Sequence, residues 1–192
     1  MTIKLIVGLR NPGAAYAATR HNAGAWLVEA LAQAQRLQFK ADKKLGGEWV
    51  RCDDFQTHSL LFLPLSFMNL NGTSVRAMSQ FYGILPQEIL IVHDELDLSP
   101  GDIRLKTGGG HGGHNGLRDL IQQLQTPDFH RLRIGIGHPG HRDLVTDYVL
   151  SKPSVVDKEK IVEAIERALA EMPLILAGNF TLAMNHLHCA RL

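Results

Sequence analysis

Lys106-Thr-Gly-Gly-Gly-His-Gly-Gly-His-Asn-Gly-Leu117 joins a strand-like apolar run (residues 103–105) to a helix-like one (residues 117–124). Its six glycines lack Cβ, so the backbone can take positive φ and a large group can approach the main chain closely. A loop of this kind loses much backbone entropy on ordering and adds no apolar area, which points to function rather than packing. Two readings compete. Gly108, Gly110 and Gly113 fit the G-x-G-x-x-G spacing of a dinucleotide fingerprint, with a strand before and a helix after. Against it, two histidines crowd the loop, it sits mid-chain, and no acidic residue closes a second strand about 20 residues on. The alternative is that His114 and Asn115 face a polar site.

Strands and helices alternate on both sides of this loop. Residues 3–9 form a nearly continuous apolar run, as in a buried central strand, broken by Asn11-Pro12-Gly13. Thr19 is expected to cap a helix to about Gln35, with Ala23, Leu27, Ala30, Leu31 and Ala34 on one face. Residues 40–47 read as a polar connection. Residues 48–52 and 57–63 read as a strand pair around Asp53-Asp54, and Pro64 ends the second. A loop over Ser66, Phe67, Met68 and Asn69 leads to a helix that Asn71 would cap and Gly83 would stop. Residues 89–92 form a buried strand that delivers His93-Asp94. Residues 131–137 alternate as a strand with one wet end. Ser154 caps an amphipathic helix through Met172, and a last helix spans residues 180–188. The pattern predicts a single three-layer α/β domain over residues 1–192, with a twisted mixed, mostly parallel sheet flanked by helices.

Composition narrows the function classes. At 192 residues, 45% hydrophobic and 20% charged, the chain is ordinary for a soluble globular domain. A net charge of +1 gives no overall field toward nucleic acid, so any basic patch must be local. Cys52 and Cys189 lie far apart without a C-x-x-C, which predicts neither zinc nor a disulfide framework. Together with the absence of a charged-then-apolar leader and of any apolar run near the ~20 residues that span a bilayer, this predicts a cytoplasmic protein. Ten histidines are scattered with no H-E-x-x-H, so no metal and no cofactor are expected.

In open α/β sheets ligands sit beyond the carboxyl ends of the strands. Asn11 with His21, Asn69, Asp94, and His114 with Asn115 follow the apolar strands in turn. This set suits polar recognition with one acid/base pair and contains no nucleophile elbow, so water attacking an ester-like carbonyl, with histidine as general base, is the chemistry it permits. A helix start would keep His21 neutral, whereas a nearby Asp94 would stabilise its charged form.

At these residues a family pattern emerges. Residues 7–13 (Val-Gly-Leu-Arg-Asn-Pro-Gly), Tyr16 with residues 19–24 (Thr-Arg-His-Asn-Ala-Gly), residues 67–72, 93–97 and 108–117, and residues 131–137 resemble, in order, the bacterial peptidyl-tRNA hydrolase family. The resemblance implies a monomeric cytoplasmic esterase that frees tRNA from peptidyl-tRNA, without membrane or cofactor. It implies that His21 activates water with support from Asp94, and that Asn11 distinguishes a blocked amino group from a free one. Asn69 and Asn115 would hold the peptide backbone and position water, with Tyr16, Phe67, Met68 and His114 lining the cleft. Lys106 and Arg133 would clamp the tRNA 5′-phosphate, and Arg142 would meet the acceptor stem. Two residues depart from the family pattern: Arg10 stands where a small residue is usual, and Asn71 replaces a serine, a change expected to be neutral because both residues cap helices. A second reading is an RNA-binding protein without catalysis, which would have no need of His21 and Asp94.

Overall fold

The computed structural model describes residues 1–53 and 58–188. Seven strands, β1 (Leu5–Gly8), β2 (Lys40–Asp42), β3 (Gly47–Cys52), β4 (Ser59–Pro64), β5 (Ile89–Glu95), β6 (Ile103–Thr107) and β7 (His130–Gly135), form one sheet in the order β2-β3-β4-β1-β5-β7-β6. The central strands β4, β1, β5 and β7 run parallel, and the others join antiparallel at the two edges. Six helices accompany them among the described residues: α1 (Ala23–Ala34), α2 (Asn71–Tyr82), α3 (Asn115–Leu124), α4 (Val145–Val149), α5 (Val155–Leu176) and α6 (Phe180–His188).

Alternation along the buried strands builds a core on each face of the sheet. Ile6, Leu90, Val92, Leu132 and Ile134 pack with α1, α5 and α6, whereas Leu5, Val7, Ile89, Ile91 and Phe129 pack with α2 and α3. This is the three-layer α/β architecture that the sequence predicts. Among the described residues no helix is long and apolar enough to cross a membrane.

Several local expectations change. Residues 40–42 pair with β3 as a short edge strand instead of forming a connection. Residues 20–22 form a 3-10 turn before α1, and the Thr19 hydroxyl donates to the Tyr16 carbonyl (2.8 Å), closing a turn rather than capping a helix. The buried face of α1 includes Val28 and Ala32, and Ala34 is exposed. Asn71 is the first residue of α2, not its cap; the amide of Gly72 is satisfied from outside by Asp119 on α3 (2.7 Å). Ser154 does cap its helix, accepting from Asp157, but the helix continues past Pro173 to Leu176. The helix α4 had no counterpart in the sequence reading. The expected turn at Asp53-Asp54 runs into residues 54–57, and Cys189 also lies outside the described residues; Cys52 is buried.

The glycine loop belongs to a different topology from a dinucleotide fold. β6 is an edge strand antiparallel to β7, so it ends at Thr107 opposite His130, at the amino edge of the parallel strands. The chain must return across the sheet to reach their carboxyl edge. It does so over Arg131, whose guanidinium donates to the carbonyls of Gly109 and Gly110. Positive φ at Gly108, Gly109, Gly112 and Gly113 lets the segment turn repeatedly on this path.

The tightest contact under the site is α1 on β5. A Cβ on Gly24 would collide with the carbonyl oxygen of Val92. Gly24→Ala should therefore cost about 1–3 kcal/mol through overpacking, read as a lower urea midpoint with unchanged m-value. A midpoint within error of the parent would show that α1 does not seat where described.

Candidate active site

The carboxyl ends of β1, β4 and β5 and the starts of α1 and α3 surround a cleft of about 540 Å³. Asp94, near the end of β5, is fully buried in its floor. Its Oδ1 lies 2.9 Å from His21 Nδ1 and 3.0 Å from His114 Nε2. The tautomers follow from the partners. His114 is the N-cap of α3, and its Nδ1 accepts from the amides of Gly116 (3.1 Å) and Leu117 (3.3 Å). Its proton therefore sits on Nε2 and is donated to Asp94. His21 donates its Nδ1–H to the same carboxylate, leaving Nε2 as a basic lone pair.

Charge and burial oppose one another here. Burial lowers the pKa of His21, but the Asp94 charge and hydrogen bond outweigh it, and the net pKa is raised. The sequence placed His21 in the first turn of a helix; it lies instead in the 3-10 turn before α1, where Asp94 outweighs burial. For Asp94, burial raises the pKa, yet His21 and His114 together hold it well below the usual carboxylate range. The ligand-type atoms of His21, Asp94 and His114 lie within 4.8 Å of one another, a spacing that could surround a cation. A metal would have to take His114 Nε2 while two amides still point at Nδ1, stripping the ring of both protons. The donor set fits a hydrogen-bond chain better.

Residues on either side of His21 hold the walls. Arg20 is buried; its guanidinium donates to Ser151 Oγ (2.7 Å) and the Lys152 carbonyl (2.8 Å) and lies over the Tyr148 ring at 4.1 Å. This ties the turn bearing His21 to α4, whose Val145, Thr146 and Val149 line the opposite wall. Asn22 bonds to the backbone of Asn11 on the other side.

Of the residues expected in the site, Asn11, His21, Met68, Asn69, Asp94, His114 and Asn115 line this cleft together. Asn11 Oδ1 accepts from the Met68 amide (2.8 Å), and Met68 also packs in the core beneath α2. Tyr16 and Phe67 do not line it. They meet edge to face outside, with centroids 6.0 Å apart, and Phe67 is exposed rather than packed in the core.

Residues 5–192 match the family model for peptidyl-tRNA hydrolase. The chain belongs to this family. A peptidyl-tRNA hydrolase of Legionella pneumophila (strain Philadelphia 1) is 61% identical over 188 residues, covering 98% of this chain and all of the relative. One of Coxiella burnetii (strain RSA 493) is 53% identical, covering 97% of each chain. The peptidyl-tRNA hydrolase structure from Acinetobacter baumannii superposes with a TM-score of 0.95 at 49% identity, covering 98% of this chain and 96% of that one.

The basic residues carried over from the family pattern sit outside the cleft. Register places Arg104 opposite Arg133 and Lys106 opposite Arg131, so all four share one sheet face beside the glycine loop. Lys106 is exposed, and Arg133 makes a 3.6 Å pair with Glu95, a cleft residue. Arg142 is exposed in the turn before α4.

Sequence reasoning missed His93, Glu95, His111, Arg118 and the α4 wall, all of which line the cleft of this peptidyl-tRNA hydrolase family member. The quoted motifs contained His93 and His111, and the position of Arg118 one turn after Asn115 was a usable signal. Nothing in the short run 145–149 marked it as a wall. His93 is fully buried, donates Nδ1–H to the Asp94 carbonyl (2.6 Å), and its Nε2 has no partner among the described residues. Burial, with the nearby His114, pushes its pKa down to about 3. The unfolded chain therefore takes up this proton first. Stability is full above an unfolded pKa of about 6.5 and is lost as pH falls toward the folded value, by up to about 1.4 kcal/mol per unit. From pH 7 to pH 5 the wild type should lose about 2 kcal/mol more than His93→Gln in urea titrations. Equal losses would show that His93 is not held neutral.

Proposed function

We propose that this cleft hydrolyses the ester between the carboxyl end of a peptide, or of an N-blocked amino acid, and the 3′-terminal ribose of tRNA. The observation that carries this reading is the His21–Asp94 pair, with one imidazole nitrogen committed to a buried carboxylate and the other left basic. His21 Nε2 takes a proton from water as its oxygen attacks the ester carbonyl. Asp94 stabilises the imidazolium that forms. Carboxamide donors of Asn69 or Asn115, both exposed and lining the cleft, would stabilise the tetrahedral oxyanion. On collapse the C–O bond to the ribose breaks, and the imidazolium returns the proton to the departing 3′-oxygen. No cofactor enters this cycle.

Asparagine presents a donor and an acceptor in one plane, matching a peptide unit whatever its side chains are. Asn11 reads the acylated amino group, and Met68 and His114 line the peptide path with Tyr16 and Phe67 at its rim. Lys106 and Arg133 hold the 5′-phosphate, and Arg142 meets the acceptor-stem backbone; such contacts position without reading sequence. The protein acts as a monomeric cytoplasmic single domain that returns tRNA to translation.

The test is tRNA release from N-acetyl-aminoacyl-tRNA and from the free-amine aminoacyl-tRNA. Wild type should cleave the blocked substrate alone. His21→Ala should lower kcat by about 10²–10⁴-fold with tRNA binding retained. Tight RNA binding without cleavage by the wild type would sink the esterase in favour of a binding protein.

The base works unprotonated, so kcat/KM should rise with pH through the His21 pKa, which lies above the ordinary 6.5. Asp94→Asn removes the charge that raises this pKa and should move the limb to lower pH, with a reduced plateau. An unmoved limb would assign it to another group.

A further inference from the structure

Beyond Gly8 the chain leaves the sheet, and among the described residues no strand pairs with Arg10 or Asn11. β4 has reached Pro64, which has no amide hydrogen to offer. Two carboxamides take the place of a strand. Asn22 Oδ1 accepts from the Asn11 amide and its Nδ2 donates to the Asn11 carbonyl, both at 2.9 Å. Asn71 Oδ1 accepts from the Arg10 amide (3.1 Å), and its Nδ2 faces the carbonyls of Arg10 (3.2 Å), Phe67 (2.9 Å) and Ser66 (3.0 Å). Both side chains are buried. Each therefore pairs with one residue's N–H and C=O as an adjacent strand would.

The arrangement converges on one atom. The Asn11 backbone is held by Asn22, and its side-chain Oδ1 is committed to the Met68 amide, in the segment that Asn71 holds from behind. The Arg10 side chain is turned away, bonding Pro64 O (2.9 Å) and Glu48 (2.5 Å), so it neither faces solvent nor lines the cleft. With backbone and Oδ1 both fixed, Nδ2 is the group of Asn11 left to address the substrate, in one orientation.

We propose that Asn22 and Asn71 are positioning residues that clamp the Arg10–Asn11 backbone and the loop at residues 66–68, and thereby set selectivity for a blocked amino group. This rests on the reading of Asn11 given above. Neither residue touches the reacting atoms. Asn71 is thus not the interchangeable helix cap that its sequence position indicated.

The experiment measures kcat/KM for N-acetyl-aminoacyl-tRNA over that for the free-amine form in Asn22→Ala, Asn71→Ala and Asn11→Ala, alongside melting temperature and the pH profile. Asn22→Ser and Asn71→Ser serve if the alanine variants do not fold. Loss of each clamp should reduce the selectivity ratio about tenfold, the effect of one or two net hydrogen bonds, with the His21 limb of the pH profile unmoved. A lower melting temperature with unchanged selectivity would make both residues merely structural and overturn the inference. If Asn11→Ala loses selectivity while the clamp variants keep it, this inference alone fails. If Asn11→Ala keeps it, the reading of Asn11 falls and the inference with it.

Discussion

A carboxylate buried at the centre of a sheet must be compensated, and the compensation of Asp94 organises this protein. Desolvating an anion costs several kcal/mol unless donors surround it. Here two imidazole N–H groups do so, from the turn before α1 and from the N-cap of α3. Both helix starts are thereby fixed to β5. The same bonds polarise His21, so the interaction that makes Asp94 tolerable is the one that leaves Nε2 basic. His114 contributes the second bond without becoming a second base, because two backbone amides occupy its other nitrogen.

The second donor is available only because the chain takes an unusual route. β6 is antiparallel at the edge and ends on the wrong side of the sheet for His114 to reach Asp94 directly. The glycine loop returns across β7, braced by Arg131 on its carbonyls. Its composition is therefore a requirement of path as well as of access. Gly24 plays the matching part at α1, where Cβ-free contact with β5 lets the turn bearing His21 sit close enough for a 2.9 Å bond.

The fold class was legible because it rests on period and alternation, which survive without tertiary information: residues 5–7, 60–63 and 89–92 of β1, β4 and β5 are continuous apolar runs, as suits central parallel strands. The residues that gather in the cleft were legible for a related reason, since strand ends and the turns after them mark the carboxyl edge of such a sheet. His114 and Asn115 were found by that rule for the wrong reason, because the strand before them runs the other way. What escaped depended on distant partners. Asn71 looks like a cap until Arg10 is brought beside it, Thr19 until Tyr16 takes its hydroxyl, and residues 40–42 have no strand signal without β3 to pair with. The α4 wall is five residues held by Arg20, an interaction spanning more than a hundred positions.

Under the proposed function, local placement of charge would let a chain of net charge +1 address a polyanion. Arg104, Lys106, Arg131 and Arg133 share one face of the β6–β7 ribbon, and their registers make them neighbours rather than scattered cations. Not all are equivalent. Arg131 is buried and spends its guanidinium on the glycine loop, and Arg133 is partly neutralised by Glu95, whereas Lys106 is exposed beside Gly109. A phosphate arriving at this face would compete with Glu95 for Arg133. Glu95 also lines the cleft, so the basic face and the cleft meet at one carboxylate.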